Sequence, residues 1–380
     1  MKGSLDSAAP LIWEDQDYLS RQVITYIGNK RNLLGFIGRG LDEIRNRLEK
    51  SSLKTFDVFS GSGIVARYLK SYSEKLIVND MELYSEVINR CYLANRSEVP
   101  IADLRQMHAD LIGSLREENL RDGFIRDLYA PEDDRNIRAG ERVFYTVRNA
   151  RYLDTARQRI GELPEEYQHF FLAPLLSEAS VHANTSGVFK GFYKDRHTGI
   201  GKFGGRNGDA LYRITGNMAL PFPVFSRHEC PVEIHRRDAG ELAEAMAGAE
   251  ELDVAYLDPP YNQHPYGSNY FMLNLITEYR RPEAVSEVSG IPRDWNRSDY
   301  NSRARAKRAF TNLVKKLPAK FLLISFNSEG FIETGEMQKI LKDAGKVEVL
   351  ETKYNTFRGS RNLRNRHIHV KEYLYLLEKR

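Results

Sequence analysis

Thr55-Phe56-Asp57-Val58-Phe59-Ser60-Gly61-Ser62-Gly63-Ile64-Val65-Ala66-Arg67-Tyr68-Leu69 reads as a strand, a glycine turn and a helix in immediate succession. The apolar run closes at Phe59, the Ser-Gly pairs break it, and apolar residues then return at helical spacing. Lys75-Leu76-Ile77-Val78-Asn79-Asp80 supplies the next buried strand, and Glu82 to Tyr92 has the periodicity of a helix. The pattern stops near residue 100. It resumes in strand-like runs at Val232 to His235, Val254 to Leu257, Phe321 to Phe326, Val347 to Thr352 and His369 to Leu377, which with the first two make seven. Alternating buried strands and helices predict a parallel, doubly wound α/β sheet with ligands at the carboxyl ends of its strands.

Between these blocks the chain changes character. Charged helical stretches, such as Ile101 to Asn119 and Glu165 to Ser180, give way to a glycine-rich polar segment from Asn184 to Gly216. The expectation is one discontinuous α/β domain, residues 20–98 and 231–380, with residues 99–230 inserted into it.

The 380 residues are 41% hydrophobic, enough for a substantial core. No apolar run approaches bilayer-spanning length, and Met1-Lys2-Gly3-Ser4-Leu5-Asp6 lacks a signal peptide's hydrophobic segment. A soluble, cytoplasmic protein without a membrane partner is expected. Cys91 and Cys230 lie far apart and lack partners at metal-ligand spacing, which argues against a metal site or a disulfide framework. A net charge of +4 is only mildly basic, but basic residues crowd at Arg303 to Arg308 and at Arg358 to Arg366.

Asp258-Pro259-Pro260-Tyr261 closes the buried run Asp253 to Leu257. Proline fixes its own backbone angle and holds the preceding residue extended, so the Asp258 carboxylate and neighbouring carbonyls can converge on an exocyclic amine while Tyr261 offers a stacking face. The glycines of Asp57 to Gly63 let the backbone bend sharply and approach a ligand. The turn departs from the dinucleotide fingerprint, since position 66 is Ala. Asp57 can meet a ligand's ammonium group, and Asp80 ends the second strand where a carboxylate accepts from ribose hydroxyls.

With these residues the sequence resembles the S-adenosylmethionine-dependent amino-methyltransferases, specifically the Dam-like DNA adenine methylase family. Tyr26-Ile27-Gly28-Asn29-Lys30-Arg31 looks like that family's amino-terminal cofactor motif, Asp57 to Gly63 like its glycine motif, Asp80 like its ribose ligand and Asp258 to Tyr261 like its catalytic motif. Their order, with a long insert before the catalytic motif, is that of the family's alpha group, in which the insert carries target recognition. Phe321 to Asn327 and Tyr354 to Ser360 resemble weaker carboxyl-terminal motifs. The resemblance implies a seven-stranded Rossmann-like methyltransferase sheet and S-adenosyl-L-methionine as cofactor. It assigns cofactor contacts to Tyr26, Gly28, Asn29, Lys30, Asp57, Phe59, Ser60, Gly61, Gly63, Asp80, Met81, Asp238 and Asp258, and catalysis to Asp258, Pro259, Pro260 and Tyr261.

The implied reaction is methylation of adenine N6. Its lone pair is delocalised into the ring, so acceptors at Asp258 and the Pro259 carbonyl are needed to draw the nitrogen toward tetrahedral geometry and stabilise its developing charge. A base inside a duplex cannot reach such a site, so the target is expected to flip out. Tyr266, Tyr270 and Phe271 are candidates for the base pocket or the vacated stack. Asn184, Lys190, Lys194, Lys202, Arg206 and Asn207 in the glycine-rich segment, with Arg303, Arg305, Arg358 and Arg361, are the candidate contacts to duplex DNA. A monomer or weak dimer, partnered functionally by a restriction endonuclease, is the matching biology. RNA adenine, protein amide and cytosine N4 methylation are the enzymatic rivals. A noncatalytic nucleic-acid binder and a nicotinamide oxidoreductase are the rivals from other classes.

Overall fold

A computed structural model describes residues 14–205, 208, 210–327, 330–355 and 369–380. Seven strands, β1 Leu53–Asp57, β2 Ser73–Asp80, β3 Val232–Arg236, β4 Leu252–Leu257, β5 Ala319–Asn327, β6 Gly345–Asn355 and β7 His369–Lys379, form one sheet in the order β3-β2-β1-β4-β5-β7-β6. The doubly wound expectation holds from β3 through β5, where every pairing is parallel. It is corrected at the carboxyl edge, where β7 lies antiparallel to both β5 and β6. An antiparallel strand can follow its neighbour without the crossover connection that a parallel one requires.

All six residues of β4 are buried; the run is apolar except for Asp253, whose carboxylate accepts from Lys50 Nζ and Lys54 N–H. Its side chains alternate between two cores: Val254 and Tyr256 join Ile37, Ile64 and Leu323 on one face, while Ala255 and Leu257 join Phe56, Phe310 and Met337 on the other. A third core gathers residues 99–230. The helices Ile101–Ser114, Val147–Gly161 and Glu165–Val181 pack with Leu83–Tyr92 and Phe271–Glu278 around residues such as Tyr84, Leu153, Leu175 and Met272. The inserted stretch is thus joined to the sheet's own helices by shared apolar packing. No described helix is long and apolar enough to cross a membrane.

Arg67, on the helix Ile64–Lys70, ties the entry segment to this body. It is 1% exposed and donates to the carbonyls of Tyr18, Arg21 and Gln22, while its guanidinium lies 3.5 Å from the Tyr92 ring centroid. Arg67→Ala strands those acceptors and opens a cavity, and should lower unfolding free energy by about 3 kcal/mol. Urea unfolding measures it; a loss below about 1 kcal/mol would contradict this role.

Candidate active site

The carboxyl ends of β1, β2 and β4 converge on one cleft of about 860 Å³, part of it continuous with solvent. The turn after β1 is stitched to its neighbours: Val58 N–H donates to the Tyr256 carbonyl and Ser60 N–H to that of Asn79. Gly61 has φ +50° and faces the Tyr26 ring so closely that a Cβ would stand 2.9 Å from it. Glycine is required there by conformation and by space. Asp80 Oδ2 accepts from Gly61 N–H (2.8 Å) and Oδ1 from Glu82 N–H (2.9 Å), which fixes the carboxylate at the cleft wall. Burial pushes its carboxyl up, and these N–H groups pull it back.

Of the residues expected to hold a cofactor, Tyr26, Gly28, Asn29, Lys30, Phe59, Ser60, Gly61, Asp80, Met81, Asp238 and Asp258 line this cleft. Asp238 also caps the helix Ala239–Ala245, accepting from Gly240 and Glu241 N–H. Gly63 does not line it; at φ +74° it packs against Asn89 and Ile88 and starts the helix behind the turn. Asp57 does not line it either and stands behind the turn. It is wholly buried, neither oxygen has a hydrogen-bond partner among the described residues, and burial with Asp258 and Asp80 nearby holds its carboxyl well above the usual range. The N–H groups of Phe59 and Ala66 oppose that shift without reaching full hydrogen-bond geometry.

Asp258 and Pro260 face the cleft, whereas Pro259 is buried and Tyr261 stands behind, edge-on to Phe326 with centroids 5.3 Å apart. Lys30, 3% exposed, brings its Nζ within 3.1 Å of Asp258 Oδ1 and donates to Tyr261 Oη at 2.9 Å. Oδ1 is shut from solvent against this ammonium, which holds it as an ion pair. Burial raises the Asp258 carboxyl above its usual range and Lys30 pulls it down, while the carboxylates around Lys30 hold its ammonium well above the usual range against burial. Glu372, 4% exposed on β7, is one of those carboxylates.

Tyr26 fastens the two halves of the site. Its ring stacks on Tyr270 (4.6 Å) and Tyr266 (4.9 Å), and its hydroxyl meets that of Tyr84. Tyr270 and Phe271 are buried in the third core, which settles them as packing residues; Tyr266 lines the cleft.

The candidate DNA contacts divide. Asn184 is corrected: it is fully buried, its Nδ2 donates to the carbonyls of Val143 and Lys202, and its Oδ1 accepts from Gly204 N–H. It braces the glycine-rich loop and has no group left to read a base. Lys190 is exposed beside His264, whose ring it and burial hold below the usual pKa, so the loop borders the catalytic motif. Lys194 covers the Phe192 ring, and Lys202 lies on the facing arm of the same turn, where Lys194 pairs with Gly201. Arg303 and Arg305 open the helix Arg303–Lys316, near Phe331 and Asp299 respectively. Arg206, Asn207, Arg358 and Arg361 lie outside the described residues.

Sequence reading missed Glu82, Asn296, Tyr300 and Asn301, all of which line the cleft. Glu82 resembles an ordinary helix-start acid, yet it is buried, accepts from Asn274 and Asn296, and has its carboxyl pushed up to about 7 by burial and Asp80. The donor and acceptor set, rich in carboxylates with an aromatic wall of Tyr26, Phe59 and Tyr300, suits a nucleoside carrying hydroxyls and an ammonium group.

Residues 26–200 and 236–340 match the D12 class N6 adenine-specific DNA methyltransferase family. The chain is 29% identical to the Type II methyltransferase M.NlaIII of Neisseria lactamica, over 94% of this chain and 99% of that protein. It is 29% identical to the Type II methyltransferase M.CviAII of Paramecium bursaria Chlorella virus 1, over 88% and 93%. To the Type II methyltransferase M.FokI of Planomicrobium okeanokoites it is 25% identical, over 93% of this chain and 52% of that protein.

Proposed function

The chain belongs to the D12 class of N6 adenine-specific DNA methyltransferases, and from that premise we propose that Asp258 receives a flipped-out adenine while the cleft beside it holds S-adenosylmethionine. The enzyme is a site-specific DNA adenine methyltransferase of the kind that serves restriction–modification. Its substrate is duplex DNA. A cognate restriction endonuclease is its functional partner, and it works in the cytoplasm as a monomer or weak dimer.

The single observation that carries the reading is the shared cleft: Asp258 lines the same space as Asp80 and Gly61. S-adenosylmethionine supplies an electrophilic sulfonium methyl when bound. Asp80 accepts from the ribose hydroxyls, Gly61 lets the backbone come close, and Phe59, Met81 and Tyr300 cover the apolar faces. At the other end Asp258 and the Pro259 carbonyl accept the two N6 hydrogens, which draws the nitrogen lone pair out of conjugation and stabilises the charge that grows on it. The methylated nitrogen then releases its extra proton to Asp258 or water, so no prior deprotonation is needed. Lys30 keeps Asp258 ionised and oriented, and excludes water from its far side.

Residues 99–230 carry target recognition. Lys190, Lys194 and Lys202 meet phosphates or base edges from one side, and Arg303 and Arg305 meet phosphates from the other. Extrusion of the base costs roughly a few kcal/mol, offset by these contacts. A duplex with 2-aminopurine at the target position should brighten when the enzyme binds; a cognate duplex bound tightly with no fluorescence change argues against flipping.

Asp80→Ala removes two hydrogen bonds to a charged acceptor and loosens the turn at Gly61. Cofactor affinity should fall roughly ten- to hundredfold. Calorimetric titration with S-adenosylmethionine checks this, and an unchanged affinity would remove Asp80 from the site.

A further inference from the structure

Residues 294–301 form a strap across the cleft, of which Asn296, Ser298, Tyr300 and Asn301 line the wall. One end is fastened near β2: Asn296 Nδ2 donates to the Met81 carbonyl and to Glu82 Oε2, each at 3.2 Å. The other is fastened beside the catalytic motif, where Asn301 Nδ2 donates to the Asn262 carbonyl at 2.8 Å. Between them the Tyr300 ring stands edge-on to Phe59, with centroids 5.2 Å apart. Glu82 is itself held rigid, because Oε2 also accepts from Asn274 Nδ2 at 2.6 Å and Asn274 Oδ1 accepts from Tyr84 N–H. Gly267 permits the closure. A Cβ there would stand 2.6 Å from the Asn296 carbonyl oxygen and 3.1 Å from Glu82 Oε1.

Resting on the assignment of this cleft to the methyl donor, we propose that Glu82 is a positioning residue: through Asn296 it latches the strap over the bound nucleoside and so sets the residence time of cofactor and demethylated product. The latch lies on the β2 side of the cleft, and the strap reaches the catalytic loop only through Asn301. Releasing the Asn296 end loosens the strap from Asn296 to Ser298, while Tyr300, 4% exposed in the core with Phe310 and Leu313, and the Asp258–Lys30 pair keep their geometry. Dissociation should therefore accelerate with little change in the chemical step.

The test compares the whole protein with Asn296→Ala, Glu82→Ala, Glu82→Gln, Gly267→Ala and the Glu82→Ala/Asn296→Ala pair. It reads the dissociation rate of S-adenosylhomocysteine by stopped-flow displacement and the steady-state constants for methyl transfer. Asn296 is exposed, so its variant should fold even where a Glu82 variant does not. Asn296→Ala and Gly267→Ala should raise the dissociation rate and the KM for S-adenosylmethionine about tenfold, with kcat within about threefold of wild type. Glu82→Gln, whose carbonyl oxygen can replace Oε2 as acceptor, should recover most of what Glu82→Ala loses. The pair should lose less than the sum of the two single losses, because both changes break the Asn296–Glu82 link and only the Met81 contact is separate. Unchanged dissociation in Asn296→Ala, full additivity in the pair, or a tenfold fall in kcat at constant KM would overturn the latch. Asp80→Ala separates the premises: if it leaves cofactor binding intact, the assignment of the cleft fails, and if it weakens binding while Asn296→Ala does not, only the latch fails.

Discussion

Asp258→Ala should reduce kcat for methyl transfer about a thousandfold, with cofactor still bound. The loss follows from what the transition state needs. Positive charge grows on adenine N6, and a preorganised acceptor in a site shielded from water is worth roughly two to three orders of magnitude. Asp258 sits in such a place, at the end of fully buried β4, lining the cleft with its Oδ1 held against Lys30. Asp258→Asn keeps the shape and one neutral acceptor, so its loss should be smaller, roughly ten- to thirtyfold. A single-turnover assay with saturating DNA and cofactor separates the two. Equal rates for both variants and wild type would remove Asp258 from the chemistry.

Lys30→Met should be nearly as damaging, for a reason one step removed. The ammonium stands 3.1 Å from Asp258 Oδ1, donates to Tyr261 and faces Glu372, all in a region almost closed to water. Deleting one partner of a buried ion pair leaves the other uncompensated, at a cost of about 3 kcal/mol in stability. The remaining carboxylates will take up protons instead of staying charged, and transfer at neutral pH should fall about a hundredfold. The sign of the pH effect is definite. Burial already holds the Asp258 carboxyl above its ordinary range, and Lys30 opposes that shift. As pH falls through the raised pKa the acceptor is lost, so kcat falls on the acid side. Without Lys30 the acid limb should move to higher pH. A kcat profile with its acid limb unmoved would show that Lys30 does not govern Asp258.

The parts legible in the sequence are those whose physics is local. A strand buried on both faces is mostly apolar, a backbone at φ +50° or +74° facing a ring or a packed helix calls for glycine, and an Asp before two prolines at a strand end is held in one conformation. Those features located β1, β2 and β4, the turn and the catalytic corner. What could not be read locally depended on partners distant in the chain. β7 pairs antiparallel with β5, a choice made by tertiary register. Glu372, a charged residue in a strand, suggests a solvent-facing position, yet it is buried beside Lys30. Asn184, an amide in a glycine-rich loop, suggests base reading, yet it is spent on three backbone groups of its own neighbourhood. Glu82 and Asn296, more than two hundred positions apart, gain meaning only from meeting each other across Gly267.

The most direct test of the central claim is transfer of labelled methyl from S-adenosylmethionine to mixed-sequence duplex DNA, followed by digestion to nucleosides, for wild type and Asp258→Ala in parallel. Label should appear in N6-methyldeoxyadenosine alone and be almost completely lost in the variant. Label in a cytosine derivative, or undiminished N6 methylation by Asp258→Ala, would contradict it.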